Sequence, residues 1–155
     1  MEIIRINNTQ GDLVFALFDQ YRVFYKQPSN IDLARRFIQA RLDNNESVIF
    51  AALLDDGETC AGFTQLYPKY SSAKAVRNWI LNDLYVDTPY RKQGIGTRLI
   101  TAAIAFAKTY GAGFVELSTA TDNVTAQRLY EHIGFERQAP EVDFITYRIP
   151  TIQCR

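Results

Sequence analysis

Two glycines, Gly94 and Gly96, stand between a strand-like run and a helix-like run. The strand-like run is Trp79-Ile80-Leu81-Asn82-Asp83-Leu84-Tyr85-Val86, and the helix-like run covers residues 98–110. A helix that starts this way leaves its first amides unpartnered at the positive end of its dipole. Such a turn suits a phosphate-bearing ligand, and glycine lets the main chain approach it closely. The competing reading is a plain helix start that uses glycine. Two stronger phosphate motifs do not match. The dinucleotide fingerprint asks for a small residue where this chain has Leu99, and no Gly-Lys-Ser/Thr closes a P-loop. What remains is a short loop sized for one pyrophosphate.

A second stretch with chemical potential is Asn123-Val124-Thr125-Ala126-Gln127-Arg128-Leu129-Tyr130, leading to Ile133-Gly134-Phe135. Ala126, Leu129, Tyr130 and Ile133 share a helix face. Asn123 and Tyr130 lie about two turns apart on one side. Asn123 is either a helix cap or a ligand contact. Tyr130 is either a packing residue or a hydroxyl placed beside the ligand.

These residues need a rigid frame. Leu99, Ala103, Phe106 and Tyr110 form an apolar stripe that anchors the helix after the glycine turn and fixes where its N-terminus points. Ahead of it the pattern predicts strands over residues 3–6, 47–54, 59–67 and 75–86, with Asp55-Asp56-Gly57-Glu58 as a hairpin turn and residues 68–74 as a second connection. Helices are expected over residues 13–26 and 31–42, broken by Pro28-Ser29-Asn30. Beyond the glycine turn the pattern predicts a strand over 114–118 and a helix over 123–133, stopped by Gly134. Further strands are expected over 135–137 and 144–149. The sum is a mixed α/β domain, residues 1–155, with no linker, repeat or low-complexity tract. Tyr21, Phe24 and Tyr25 admit two readings, core packing or the lining of a pocket between the first two helices. Arg35, Arg36 and Arg41 read as a solvated helix face.

Composition narrows the function. Seventeen basic residues balance seventeen acidic ones among 155, so no net field favours nucleic acid or an anionic membrane. Cys60, Cys154 and the single His132 have no metal-ligand spacing, and no metal site is expected. A disulfide between the two cysteines stays open, with a reduced protein the simpler reading. No apolar run approaches a membrane span and no signal peptide is visible. A soluble cytoplasmic protein is the expectation.

Taken together, Arg91-x-x-Gly94-x-Gly96 and Asn123-x-x-Ala126-x-x-Leu129-Tyr130-x-x-x-Gly134-Phe135 resemble the GCN5-related N-acetyltransferases (GNAT). The resemblance runs over nearly the whole chain. Leu81-Asn82-Asp83-Leu84-Tyr85-Val86 and Tyr21-Arg22-Val23-Phe24-Tyr25 look most like two branches. One holds the yeast histone, polyamine and D-amino-acid acetyltransferases, the other the diamine acetyltransferases. The resemblance implies the GNAT fold: a mostly antiparallel central sheet, one splayed parallel strand pair and flanking helices. It implies acetyl-CoA as co-substrate, a primary amine of a polyamine or amino-acid-like acceptor, and a homodimer. The pyrophosphate would take N–H groups from Gln93, Gly94, Ile95, Gly96 and Thr97, with Arg91 in support. The pantetheine arm would pair with main chain near Leu84 and Val86. Asn123 would contact the coenzyme, and Tyr130 would protonate the departing thiolate.

The mechanism so implied is direct attack of the amine on the thioester through a tetrahedral intermediate. An alkyl amine with a pKa of about 10.4 arrives protonated at neutral pH, so some group must take its proton. Diamine acetyltransferases carry glutamate where this chain has Asn82, and an amide cannot be that base. Asp83 is adjacent, but simple alternation puts it on the opposite face from Asn82. A bulge, common in this strand of the family, would re-aim it. Asp83 is therefore a candidate for amine binding or water-relayed proton removal, against a purely structural role. Glu116 is the next candidate, and Phe24, Tyr25 and Asn82 are candidate acceptor contacts. Two alternatives stay open: transfer to a protein lysine or N-terminus, and a CoA-binding module without catalysis.

Overall fold

A computed structural model of the protein describes residues 1–152. The chain forms two compact units, Met1–Ala120 and Thr121–Arg155. The first unit carries a five-stranded sheet in the order β1-β2-β3-β4-β5. Its strands are β1 (Glu2–Arg5), β2 (Val48–Leu53), β3 (Cys60–Ser71), β4 (Val76–Val86) and β5 (Val115–Glu116). The first four pair antiparallel, and β5 joins β4 in parallel. The expected mixed α/β architecture, antiparallel with one parallel pair, is what the sheet shows.

Helices α1 (Phe15–Phe24) and α2 (Ile31–Asp43) cover one face. Phe18, Val14, Ile38 and Leu42 pack there against Ile49, Ala51 and Phe63 of the sheet. Helix α3 (Ile95–Thr109) covers the other face, where the Phe106 ring lies 6.0 Å from Phe50 and 5.1 Å from Trp79. Leu99, Ile100 and Ala103 on α3 are fully buried, as the apolar stripe requires.

The turn between α1 and α2 is fixed by one carboxylate. Asp19 accepts from Ser29 Oγ at 2.6 Å and from the Asn30 N–H at 2.8 Å. Asn30 in turn caps α2 by accepting from the Leu33 N–H at 3.1 Å. The Ser29 hydroxyl, then the Asn30 amide, hold the Asp19 carboxyl below the usual carboxylate range.

Two expectations are corrected. Residues 68–71 belong to β3 rather than to the connection, and Pro68 pairs with Trp79 inside the strand. Proline is tolerated because β2 leaves β3 after Leu66, so no ladder there needs its missing N–H. The strands expected over 135–137 and 144–149 do not form. Their side chains alternate as a strand's would, but a strand exists only in a ladder, and no described strand pairs with them. Phe144, Ile145, Tyr147 and Ile149 are accordingly exposed. The question of a Cys60–Cys154 disulfide lies outside the described residues. Among those residues no helix is long and apolar enough to cross a membrane.

The second unit contains α4 (Val124–Ile133). Asn123 caps it, its Oδ1 accepting from the Ala126 N–H at 3.1 Å. Gly134 ends it at a φ of 124°. There the Gly134 and Phe135 N–H groups both donate to the Tyr130 carbonyl, and the Phe135 ring returns to within 6.0 Å of the Tyr130 ring. The Gly134-Phe135 pair of the motif thus fixes how the Tyr130 end of the helix closes.

Candidate active site

The glycine turn follows a short 3-10 turn, Thr88–Tyr90, that leaves the end of β4. Lys92 and Gly94 both take left-handed backbone, at φ of 63° and 79°. For a lysine this conformation is uncommon and costs energy, a pattern that clusters at ligand clamps. Gly94 is the cap residue of α3 and offers no side-chain cap. Among the described residues, no side chain caps the first amides of α3. Gly96 sits inside the first turn of α3, where glycine costs about 0.5–1 kcal/mol relative to alanine. Among the described residues, a Cβ on Gly94 or Gly96 would meet nothing within 4 Å beyond its chain neighbours and the helix's own backbone. Packing within the protein does not require glycine at 96, whereas a ligand lying on the amides would. Gln93 and Thr97 are exposed beside them, and Ile95 is buried beneath.

Arg91 is turned back toward the sheet. Its Nε donates to the Val86 carbonyl at 2.8 Å, and its guanidinium lies 5.4 Å from the centre of the Tyr85 ring. It braces the turn against the end of β4. On the edge of β4 away from β3, the described residues pair only at Trp79 and Ile80, with Val115 and Glu116. The stretch from Leu81 to Val86 has that edge free of a strand partner. Open strand edge and open helix amides are the two features an extended ligand with a pyrophosphate needs, so these residues fit coenzyme A.

The other half of the site is set by a bulge. Gln65 pairs with Asp83 but Leu66 pairs with Leu81, leaving Asn82 as the extra residue in β4. Trp79 faces α3, where it meets Phe106. Without the bulge Asp83, an even number of residues further on, would face α3 too. The bulge reverses the parity, and Asp83 faces the α1 and α2 side with Gln65, Tyr85 and Phe63.

Asp83 is only 3% exposed. Gln65 Nε2 donates to its Oδ2 at 2.5 Å, and Asn82 Nδ2 donates to its Oδ1 at 2.9 Å. Its main-chain carbonyl accepts from Thr64 Oγ1 at 2.8 Å. Two tyrosines stand over it. Burial first, then the Asp83 charge and a hydrogen bond to Asp83, drive the Tyr21 phenol far above its ordinary range. Burial, then Asp83, raise Tyr67 as well, while Arg41 opposes the shift. Both phenols therefore stay protonated across the physiological range; Tyr21 hydrogen-bonds Asp83, and the Tyr67 hydroxyl accepts from Gln65 Nε2 at 3.1 Å.

The remaining candidates are more dispersed. Phe24 and Tyr25 are 66% and 59% exposed, which removes the core reading for these two. Tyr21, by contrast, is packed among Phe18, Phe63 and Tyr85. Tyr25 reaches the Tyr21 ring at 4.9 Å, so the aromatic patch borders the Asp83 cluster from its outer side. Glu116, on β5, is paired with Lys69 Nζ at 2.5 Å and is half exposed. Gln65, Thr64, Tyr67 and Ser47 were not singled out from the sequence. The available signal was two polar residues, Thr64 and Gln65, inside an otherwise apolar strand.

Residues 14–135 match the model of the acetyltransferase (GNAT) family. The chain belongs to the GNAT family. It is an acyltransferase of the N-acetyltransferase kind, and the family's acetyl donor is acetyl-CoA. An uncharacterized N-acetyltransferase of Bacillus subtilis, YhfO, is 40% identical over 147 residues, covering 95% of each chain. The crystal structure of a probable acetyltransferase superposes with a TM-score of 0.87 at 38% identity, covering 99% of each chain. An Arabidopsis thaliana L-ornithine N5-acetyltransferase is 36% identical over 74 residues, 48% of this chain and 32% of its own. In this GNAT chain, then, the glycine turn falls within the matched region, as do Asp83, Asn123 and Tyr130.

Proposed function

We propose that this GNAT enzyme moves an acetyl group from acetyl-CoA to the primary amine of a small cationic acceptor, polyamine-like or amino-acid-like, by direct attack. The observation that carries this reading is the Asp83 carboxylate, swung by the Asn82 bulge onto the aromatic face and buried beside two protonated tyrosines. A buried carboxylate under hydroxyl and ring groups recognises an ammonium ion by charge and by the faces of the rings. The relative named L-ornithine N5-acetyltransferase acts, by its name, on such an alkyl amine.

The acetyl thioester supplies an activated acyl group, and the chain's task is to hold it and to deliver a neutral amine. Gln93 to Thr97 would donate main-chain N–H groups to the pyrophosphate, with Leu84 and Val86 offering the free edge of β4 to the pantetheine arm. Asp83 would attract the ammonium and take its proton through the Tyr21 hydroxyl or a water. A base so placed contributes on the order of 10²–10⁴-fold. Tyr130 would protonate the leaving thiolate and Asn123 would contact the coenzyme; both assignments rest on their positions in the family motif. We read the enzyme as cytoplasmic and, on the strength of the branches it resembles, as a homodimer.

The test is release of free thiol from acetyl-CoA with single acceptors: diamines, polyamines, diamino acids and short peptides. Turnover with one or more of the small amines is the expected outcome. Tight CoA binding with no turnover on any acceptor would make the protein a binding module instead.

A further inference from the structure

Gln65 has no exposed surface and sits in β3 between Ile49 of β2 and Asp83 of β4. Its carboxamide meets three polar groups. Ser47, just ahead of β2, donates its hydroxyl to Gln65 Oε1 at 2.8 Å. Gln65 Nε2 donates to Asp83 Oδ2 at 2.5 Å and to the Tyr67 hydroxyl oxygen at 3.1 Å. The amide has one workable orientation. A hydroxyl both donates and accepts, but a carboxylate only accepts. Turned over, Gln65 would set Oε1 against Asp83 Oδ2, two acceptors with no proton between them. In the observed orientation both Nε2 protons and Oε1 are used.

Such an arrangement is not needed for stability. An apolar residue at a fully buried strand position packs without any desolvation cost, and replacing a buried polar set by apolar groups of similar shape is near neutral. What the amide adds is direction. Asp83 is paired with Gln65 directly beside the unpaired Asn82, at the bulge where the register of β4 shifts. Gln65 holds one carboxylate oxygen from the neighbouring strand, and Asn82 Nδ2 holds the other at 2.9 Å.

We infer that Gln65 is a positioning residue for the acetyl-transfer reaction: set by Ser47, it fixes the Asp83 carboxylate in the orientation that receives the amine. The inference rests on the reading of Asp83 given above. The groups that face Asp83 are Tyr21 from α1, Tyr67 and Gln65 from β3, and Asn82 from its own strand, with Arg41 of α2 acting on Tyr67. No basic side chain is among the hydrogen-bond partners recorded for Asp83 in the described residues. Its orientation thus depends on neutral donors.

Two variants of the full chain decide the matter, with the amine that the wild type acetylates best. Gln65→Leu removes both donors, and kcat/KM for the amine should fall about 10²-fold, the scale of a misplaced catalytic group. Its Kd for CoA should stay within about twofold, because the glycine turn is untouched. Gln65→Glu keeps the shape and an acceptor for Ser47 but sets a second carboxyl against Asp83. Two facing carboxyls share a proton, so the acidic limb of the kcat/KM–pH profile should move up by about one pH unit or more. Carboxyl-carbon NMR of Gln65→Glu gives the same answer without turnover: one carboxyl of the pair should titrate above the ordinary range. If Gln65→Leu does not fold, the Gln65→Glu profile and titration carry the decision. An unmoved profile with unmoved turnover would overturn the inference, as would turnover and CoA affinity falling together. Asp83→Asn separates the two claims. If that variant is as active as the wild type, the reading of Asp83 fails; if it is inactive while both Gln65 variants are normal, only the role of Gln65 fails.

Discussion

At the glycine turn no side chain among the described residues caps the start of α3, whereas at Asp83 the chain buries a carboxylate and surrounds it with donors from several elements. The first region is defined, among the described residues, by what is absent: no side-chain cap at Gly94, no Cβ on Gly96, and, beyond chain neighbours and the helix's own backbone, nothing within 4 Å of where either Cβ would lie. The second is defined by long-range partners, Gln65 in the next strand and Tyr21 on α1. The two regions suggest a division of labour. In the function proposed above, coenzyme A would be recognised by backbone, which is the same whatever the acceptor. The acceptor would be recognised by side chains, whose placement hangs on one bulged residue, Asn82.

If that division holds, damage to one half should leave the other intact. Asp83→Asn is expected to have the largest effect, a loss in kcat/KM for the amine of about 10²–10⁴-fold with CoA affinity nearly unchanged. Steady-state rates and calorimetric CoA binding on the same preparation check both parts. Gly96→Val comes next. Its side chain would stand where a ligand lies on the amides, and losing a hydrogen bond to a charged group, about 1.5–3 kcal/mol, weakens acetyl-CoA binding by roughly ten- to a hundredfold. The thermal midpoint should hold, because that space is empty in the protein. A fall in both midpoint and affinity would mean that the glycine serves packing. Tyr130→Phe should lower kcat by about tenfold, less than Asp83→Asn, since a thiol with a pKa of about 8.5 leaves readily without help. Acetyl-CoA affinity should be retained.

The smallest effect on catalysis is expected at Asp19, which supports the α1–α2 turn and touches neither half. Asp19→Ala should cost about 1–3 kcal/mol in urea unfolding, through the lost bonds from Ser29 and Asn30. The sign of its pH dependence follows from the lowered carboxyl. The folded state binds this proton less readily than the unfolded chain, so its contribution is present at neutral pH. It is lost as pH falls below about 3.9. The gap between wild type and Asp19→Ala should therefore narrow at pH 3.

The two halves also differed in how far the sequence exposed them. The glycine turn is local: a strand, two glycines and a helix stripe stand in consecutive residues, so both its position and its use could be read. The continuous apolar run of β2 and the stripes of α2 and α3 were legible for the same reason. Asp83 could be named only with the bulge supplied by resemblance, because a single extra residue at Asn82 decides which face it joins. Gln65 lay hidden because its partners Ser47 and Asp83 are each 18 residues away. Pro68 was misplaced since proline is excluded from ladders only where a partner strand needs its N–H, and that depends on where β2 ends. The tail alternates like a strand from Phe144 to Ile149, but alternation records a preference for a ladder and cannot provide the second strand.

The most direct test of the account is a one-pot competition. Wild-type protein is given limiting acetyl-CoA with equal concentrations of an alkyl diamine, a diamino acid and a short peptide with a free N-terminus and a lysine, and mass spectrometry reads which acceptor gains an acetyl group. One of the small amines should carry the acetyl group. Acetylation of the peptide alone would contradict the proposed function, as would free CoA appearing with no acetylated amine.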